Sequence, residues 1–372
     1  MEEMSVATTV ALAAFAAGIV FGATANKTNF CTMGGVSDMV LMGDTNRFRA
    51  WMLAVAVALL GTQALHMLGL IDLTRAPSDG GAIYLSSTLG WPGAILGGLL
   101  FGFGMTRAGG CGNKTLVRLG AGNLKSIIVF LVMGITGYMT MRGLFGLPRL
   151  ELERLNTDLS GFGLESQSMA EIAGAITGVD AETARIAVTA VIGLGLLAYC
   201  FKSAEFRGSF TDISGGVIIG LLIPVGWWIT GVIGFDEFSP TQLFSFTFVA
   251  PSGDAIQYLM TFTGSTINFG IAGVFGVIAG SFVMALATKT FHIEAFSGSD
   301  DMISHLTGAV MMGVGGVLAL GCTIGQGVTG MSTLALGSLI ALAAIIAGAV
   351  WGMKSLEEGS VLDGLKALFT RD

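Results

Sequence analysis

The sequence predicts an all-α membrane protein, a bundle of about nine transmembrane helices arranged as two inverted repeats with re-entrant segments. The composition indicates a membrane protein, because 53% of the 372 residues are hydrophobic and only 12% are charged, about half the charged share of an ordinary soluble domain. Apolar runs near bilayer length recur along the chain and indicate helices. A glycine-rich apolar block that ends in Gly-Cys occurs twice, at 97–111 and 308–322, and indicates the repeat.

Nine apolar runs have roughly the length that a bilayer-crossing helix needs. They lie at about 6–25, 50–71, 89–105, 126–141, 187–201, 213–234, 267–287, 303–321 and 333–353. Glu2 and Glu3 precede the first run and no clear A-x-A cleavage pattern follows it, so we interpret it as a retained helix rather than a signal peptide.

The distribution of lysine and arginine predicts the orientation in the membrane. With nine spans and an external N-terminus, thirteen of these residues face the cytoplasm and five face outward. We therefore expect a multi-pass membrane protein with an external N-terminus and a cytoplasmic C-terminus. The net charge of −7 says little about the substrate, because seven acidic residues lie in one segment, 147–182, which this topology places outside.

The duplicated block belongs to a longer repeat. Its matched positions are Gly97, Gly102, Gly104, Gly110 and Cys111 in one copy and Gly308, Gly313, Gly315, Gly321 and Cys322 in the other. Each half shows a span, a short polar stretch, a long span, the Gly-Cys block and a final helix, so spans one to four match spans six to nine. An offset of five helices is odd and reverses every matched helix, which predicts inverted repeats of the kind found in secondary transporters.

This repeat divides the chain into four parts. They are the first repeat at 1–145, an external acidic loop with a connector helix at 146–210, the second repeat at 211–353 and a cytoplasmic tail at 354–372.

Four polar stretches interrupt the apolar pattern. They are Thr28–Asp38, Ala108–Asn123, Ser245–Thr263 and Gly321–Ser332. Unpaired backbone groups are costly in hydrocarbon, so these stretches are predicted to be re-entrant turns or half-helices that line a passage, two from each face. Half-helix N-termini that meet near the midplane would present N–H donors to an anion.

Three of the four cysteines lie in these glycine-rich polar turns and are the candidate substrate-binding thiols. The candidate binding residues are Asn29, Cys31, Arg107, Gly110, Cys111, Asn113, Lys114, Cys322, Thr323 and Gln326. Arg107 and Lys114 flank Cys111 and are suited to attract an anion, whereas Cys200 ends an apolar run and is expected to pack. Without a C-x-x-C pair, and with only three histidines, we predict no metal site, no cofactor and no catalytic residue.

Three motifs together resemble the YeeE/YedE family of bacterial inner-membrane proteins. They are F-C-x-M-G-G from Phe30 to Gly35, G-G-C-G-N from Gly109 to Asn113 and G-C-x-I-G-Q-G from Gly321 to Gly327. The resemblance covers essentially the whole chain. It implies an hourglass-shaped bundle that takes up thiosulfate, with the three motif cysteines handling the substrate in turn. Members often work with a small soluble sulfur carrier that bears a C-P-x-P motif. This sequence contains no such motif. The resemblance therefore implies that a carrier on the cytoplasmic side would be a separate protein.

Thiols suit such a substrate. The terminal sulfur of thiosulfate is soft, and a protonated thiol is a weak donor that releases it readily. We expect the thiols to stay protonated, because a thiolate would repel the dianion. A relay of weak contacts then moves the ion without a deep trap. The expected partners are this anion and membrane lipid, with no nucleic acid.

Two alternatives stay open. One is a membrane thiol sulfurtransferase that carries a persulfide, although the sequence shows no base or CxxC partner to activate a thiolate. The other is a sensor subunit that binds sulfur anions, which only the acidic 147–182 loop favours.

Overall fold

The computed structural model describes residues 5–235 and 241–367. Its helices are α1 (Val6–Thr28), α2 (Thr32–Ser37), α3 (Asn46–Met67), α4 (Trp91–Arg107), α5 (Gly112–Gly120), α6 (Leu124–Arg142), α7 (Gly146–Glu153), α8 (Met169–Thr177), α9 (Ala181–Lys202), α10 (Ala204–Gly208), α11 (Phe210–Trp228), α12 (Val249–Met260), α13 (Phe269–Ala287), α14 (Ser299–Leu318), α15 (Leu336–Glu357) and α16 (Val361–Ala367). Two short strands, β1 (Thr88–Leu89) and β2 (Thr157–Asp158), pair antiparallel.

Within the described residues, nine helical stretches are long and apolar enough to cross a membrane. The first runs from α1 through α2 and the third from α4 through α5, and the others include α3, α6, α9, α11, α13, α14 and α15. Each of the nine predicted runs overlaps one of these stretches. The predicted polytopic α-helical bundle is therefore confirmed.

Glycines set the distance between helices α4 and α14, which carry the duplicated block. A Cβ on Gly97 would lie 2.6 Å from the carbonyl oxygen of Gly315, and a Cβ on Gly308 would lie 2.6 Å from that of Gly104. The two helices therefore run antiparallel with their backbones in contact, the close approach that small residues allow in membranes.

This contact is reciprocal in the repeat. Gly97 matches Gly308 and Gly104 matches Gly315, so each contact is the image of the other when the two halves are exchanged, as across a two-fold axis. The repeat matches helices α1, α3, α4 and α6 with α11, α13, α14 and α15. Under this match the α1–α13 contact corresponds to the α11–α3 contact, and the α4–α15 contact corresponds to the α14–α6 contact. These contacts support the predicted inversion of the two halves, which stays a prediction for the full repeats.

The acidic segment 147–182 folds against the bundle. The sequence at 152–159 is compatible with an interfacial helix, but α7 ends at Glu153 and Thr157 pairs with Leu89 in the strand ladder. Further along, the backbone N–H of Met169 donates to Leu334 at 2.8 Å and that of Leu336 donates to Gln167 at 2.9 Å. These tertiary hydrogen bonds decide the local structure, and they fix the segment on the turn that precedes α15.

The first prediction concerns the α4–α14 contact. In Gly315→Ala, the new Cβ would lie 2.6 Å from backbone atoms of Gly97 and Phe101, so we expect the variant to lose about 1–3 kcal/mol of stability through overpacking. Gly195→Ala is the matched control, because nothing lies within 4 Å of a Cβ there. Thermal unfolding of the detergent-purified proteins measures both, and equal unfolding temperatures would contradict the close contact.

Candidate functional site

The three motif thiols converge at the centre of the bundle. The Sγ atoms of Cys31 and Cys111 lie 3.8 Å apart, and a Cβ on Gly112 would lie 3.9 Å from the Cβ of Cys322. Cys31 is 6% exposed, and Cys111 and Cys322 are fully buried. The cysteines are not joined in disulfides, so the centre presents three neighbouring free thiols.

Each thiol lies at a break in helical structure. Asn29 ends α1 in the left-handed region at φ 54°, and Cys31 then adopts an extended conformation and N-caps α2, where its Sγ accepts the N–H of Gly34 at 3.5 Å. Gly109, at φ +67°, ends the turn after α4, and Cys111 N-caps α5. These caps point the start of two half-helices at the thiols, as polar turns inside a membrane bundle require.

The Cys322 turn is built differently. The N–H of Gly325 donates to the Sγ of Cys322 at 3.4 Å, and a π-helical turn follows over Gly325–Gly330. Gln326 donates through Nε2 to the carbonyl of Ala319 and accepts through Oε1 from Ser338 at 2.5 Å. The Gln326 amide therefore braces its own turn, and its contact with the substrate stays a prediction.

Three buried polar atoms beside the thiols have no hydrogen-bond partner among the described residues. They are Oγ1 of Thr32, Nδ2 of Asn113 and Oγ1 of Thr323. Each belongs to a residue within two positions of a motif cysteine, and the other atom of the Asn113 amide, Oδ1, accepts from the Cys111 thiol at 2.8 Å. A buried unsatisfied donor costs about 1–3 kcal/mol. These three donors, one beside each motif cysteine, are candidate hydrogen-bond donors to a polar ligand.

An open cavity of about 510 Å³ leads from one face of the bundle to Cys31. We call it the vestibule; its lining includes Asn29, Cys31, Arg47, Lys114, Arg118 and Glu294. The Lys114 ammonium donates to Asn29 Oδ1 at 2.6 Å. Gly110 leaves room for this side chain, because a Cβ there would lie 3.2 Å from Lys114 Cγ.

Positive charge dominates the vestibule. Arg47 is paired with Asp38 at 2.6 Å, and Arg118 donates to the Gly109 carbonyl at 2.6 Å. The carboxylate of Glu294 is bound by Lys125 at 3.2 Å, and this hydrogen bond lowers the pKa of Glu294. The lining therefore suits a small anion.

The structure does not bring every candidate to this site. Arg107 donates to Thr307 Oγ1 at 3.3 Å and is not among the residues that line the vestibule. Cys200 donates to the backbone of Arg49 at 3.3 Å and packs with Phe206, apart from the three thiols.

The opposite end of the thiol cluster is covered. A small cavity of about 20 Å³ lies there between Tyr84, Gln167, Gln326 and Ser338. Oε1 of Gln167, in the acidic segment, accepts the N–H of Gly337 at 3.0 Å. Sequence reasoning missed Tyr84, Gln167 and Arg47, because they lie outside the cysteine motifs and reach the site only through tertiary packing.

No group of three or more His, Cys, Asp or Glu side chains in the described part of the chain is placed to hold a metal ion. The polar groups described at the centre are thiols, hydroxyls, an amide and backbone N–H groups.

A helical membrane bundle with a thiol-lined centre and a cationic vestibule has the architecture of a membrane transporter. Residues 27–351 match the model of the family described as Sulphur transport, and the chain belongs to this family of transporters. The resemblance to YeeE/YedE proteins is thereby confirmed. The chain is 27% identical over 328 residues to the thiosulfate transporter TsuA of Escherichia coli K12, a match that covers 84% of each protein.

A second similar protein is the thiosulfate transporter TsuA of Spirochaeta thermophila. It is 25% identical over 319 residues, which cover 84% of this chain and 89% of the relative. A shorter match of 103 residues at 29% identity, 27% of this chain and 22% of the relative, is to the probable transporter YedE of Escherichia coli K12.

The second prediction concerns the contact between two thiols. Mild oxidation should join Cys31 to Cys111, because their sulfurs lie 3.8 Å apart and need only a small shift to form a bond. Peptide mass spectrometry should find this disulfide, with Cys200 still reduced. In Cys111→Ser, Cys31 should stay reduced under the same treatment. A disulfide between Cys31 and Cys200 would contradict the arrangement.

Proposed function

We propose that the protein takes up thiosulfate, or a closely related sulfur anion, through the centre of the bundle along its three motif thiols. The observation that carries the proposal is the set of three buried donors without partners, each beside one of the thiols. The names of two relatives, both thiosulfate transporters, support the same substrate.

The two kinds of group fit the two ends of thiosulfate. Its terminal sulfur is soft and suits the weakly polar S–H of Cys31, Cys111 and Cys322. Its three oxygens accept hydrogen bonds and suit the Thr32 hydroxyl, the Asn113 amide and the Thr323 hydroxyl. Sulfate has the oxygens but not the soft sulfur, so the thiols would discriminate against it. Because S–H contacts are weak, the ion passes on without a deep trap.

The orientation predicted from the sequence gives the route an order. In that orientation, which the excess of lysine and arginine supports, the vestibule would lie on the cytoplasmic side of the inner membrane, with the acidic segment and the N-terminus outside. A substrate entering from outside would pass the cover near Gln167, meet Cys322, then reach the Cys111–Cys31 pair and leave past Lys114. A separate sulfur-carrier protein, where one serves this route, would receive the anion at the vestibule.

Uptake by purified protein in liposomes tests the proposal directly. Labelled thiosulfate should accumulate inside the vesicles, and unlabelled sulfate should compete much less than unlabelled thiosulfate. Equal competition by sulfate would contradict the role of the thiols, and selenite and sulfite competition would define the substrate range.

A second candidate is a persulfide carrier, in which the Cys111 sulfur attacks the terminal sulfur of thiosulfate, the S–S bond of thiosulfate breaks and sulfite leaves. The observation that favours it is the 3.8 Å approach of two thiols, since the outer sulfur can then pass to Cys31 while Cys111 returns to a thiol. It predicts a mass gain of one sulfur atom on Cys111 after thiosulfate treatment, with no net flux into liposomes. Flux without this mass gain would exclude it.

The third prediction compares the thiols. Cys111→Ala and Cys322→Ala should reduce labelled thiosulfate uptake by at least tenfold, because each removes one soft contact on the route. Cys200→Ala should transport like the wild type, since Cys200 packs elsewhere. Protein levels in the vesicles are the control. Normal uptake by Cys111→Ala and Cys322→Ala at normal levels would contradict the thiol route.

The fourth prediction separates stability from transport at a donor without a partner. Thr323→Val replaces a buried unsatisfied hydroxyl by a methyl group of similar size, so the unfolding temperature should stay equal or rise, while thiosulfate uptake falls severalfold. Thr189→Val removes another unsatisfied buried hydroxyl, in helix α9, and should leave uptake unchanged. Full transport by Thr323→Val would show that its hydroxyl has no role in binding.

A further inference from the structure

The turn that carries Cys322 has no cation of its own. The sequence from 290 to 353 contains no lysine or arginine, and the offset that aligns Cys111 with Cys322 places Gly325 where the first half has Lys114. The one lysine of the second repeat, Lys289, is exposed in the loop after α13. An anion that meets Cys322 therefore finds no positive side chain from its own turn.

A buried arginine from the connector helix α9 lies behind this half. Arg185 is 6% exposed. Its one hydrogen bond among the described residues runs from Nη1 to Oε1 of Gln63, at 3.4 Å. A guanidinium that is largely buried in a membrane segment is costly, and an ionisable group there usually has a function.

Three acids lie near Arg185 without forming an ion pair with it in the described part of the chain. They are Glu182, Glu171 and Asp72. The Glu171 carboxylate accepts from Ser166 Oγ at 2.5 Å. Asp72 and Glu182 are exposed to solvent, which screens their charge. The guanidinium charge is therefore only partly offset by its neighbours.

Hydrogen bonds connect Arg185 to the turn that contains Cys322. Gln63, fully buried, donates through Nε2 to the carbonyl of Ser332 at 2.8 Å. The Ser332 hydroxyl in turn donates to the carbonyl of Thr329 at 2.6 Å. One buried side chain thus separates the guanidinium from the end of the turn, and a charge in such a low-dielectric setting is felt over a longer range than in water.

We propose that Arg185 is the fixed positive charge of the Cys322 half of the passage and sets its affinity for sulfur anions. The inference rests on the proposed function. Arg185 is a selectivity and positioning residue that acts through the field and through Gln63, without direct contact with the substrate. The connector helix thereby supplies in the second half the charge that Lys114 supplies in the first.

Two substitutions isolate the charge. Arg185→Gln removes it and keeps a polar side chain, whereas Arg185→Lys keeps it on a similar stem. For thiosulfate uptake by proteoliposomes, Arg185→Gln should raise KM about tenfold and Arg185→Lys by no more than about twofold. The expected change is in KM, with the maximal rate much less affected.

A ligand of different charge distinguishes an electrostatic role from structural damage. The methanethiosulfonate anion has the terminal sulfur of thiosulfate but a single negative charge, so it should feel half the loss of interaction energy. When this anion competes with thiosulfate for uptake, its inhibition constant should rise about threefold in Arg185→Gln. This is the square root of the tenfold change for the dianion, because half the free energy is lost.

Three results would overturn the inference while leaving the proposed function intact. They are wild-type kinetics in Arg185→Gln, equal losses for the dianion and the monoanion, and an Arg185→Lys variant as impaired as Arg185→Gln. Wild-type protein without thiosulfate uptake would instead contradict the proposed function and the inference with it.

Discussion

The requirement that every backbone N–H and C=O inside a membrane be paired determines the rest of this structure. The chain leaves regular helix before α2, before α5, before α12 and again between α14 and α15. Such breaks are tolerated only where protein encloses them. Glycine contacts such as that of Gly97 with Gly315 bring the helices close enough to enclose the breaks. The polar turns therefore lie at the centre, and the thiols lie in the turns.

The two halves share a frame but differ in chemistry. The first half opens into a cationic vestibule that reaches Cys31, whereas the second is covered near Gln167 and has no lysine or arginine in the turn that carries Cys322. The α1–α13 and α4–α15 contacts have counterparts when the two halves are exchanged, but the positive residues of the vestibule have none. We propose that the repeated helix arrangement forms the route, and that the unequal charges attract an anion more strongly at one end of it than at the other.

Local sequence signals predicted much of this molecule, and the remainder depends on tertiary contacts. Hydropathy alone located the nine spans, because burial in lipid leaves a long apolar signal. The turn around Cys31 is likewise predicted from the local sequence, because glycine and polar residues surround this cysteine. The position of Arg107 depends on Thr307, a residue distant in sequence, and the position of the Gln326 amide depends on how its own turn folds onto the start of α15. The pairing of β2 with β1 likewise overrides the local helical pattern.

The central claim is that the thiols contact the soft end of the substrate while hydroxyl and amide donors contact its oxygens. A crystal structure with selenosulfate, in which selenium replaces the terminal sulfur, tests it through the anomalous signal of selenium. We predict a selenium peak in contact with the Sγ atoms of Cys31 and Cys111, with the oxygens toward Thr32 and Asn113. Selenium bound only beside Lys114 and Arg118, with the oxygens toward the thiols, would contradict the account.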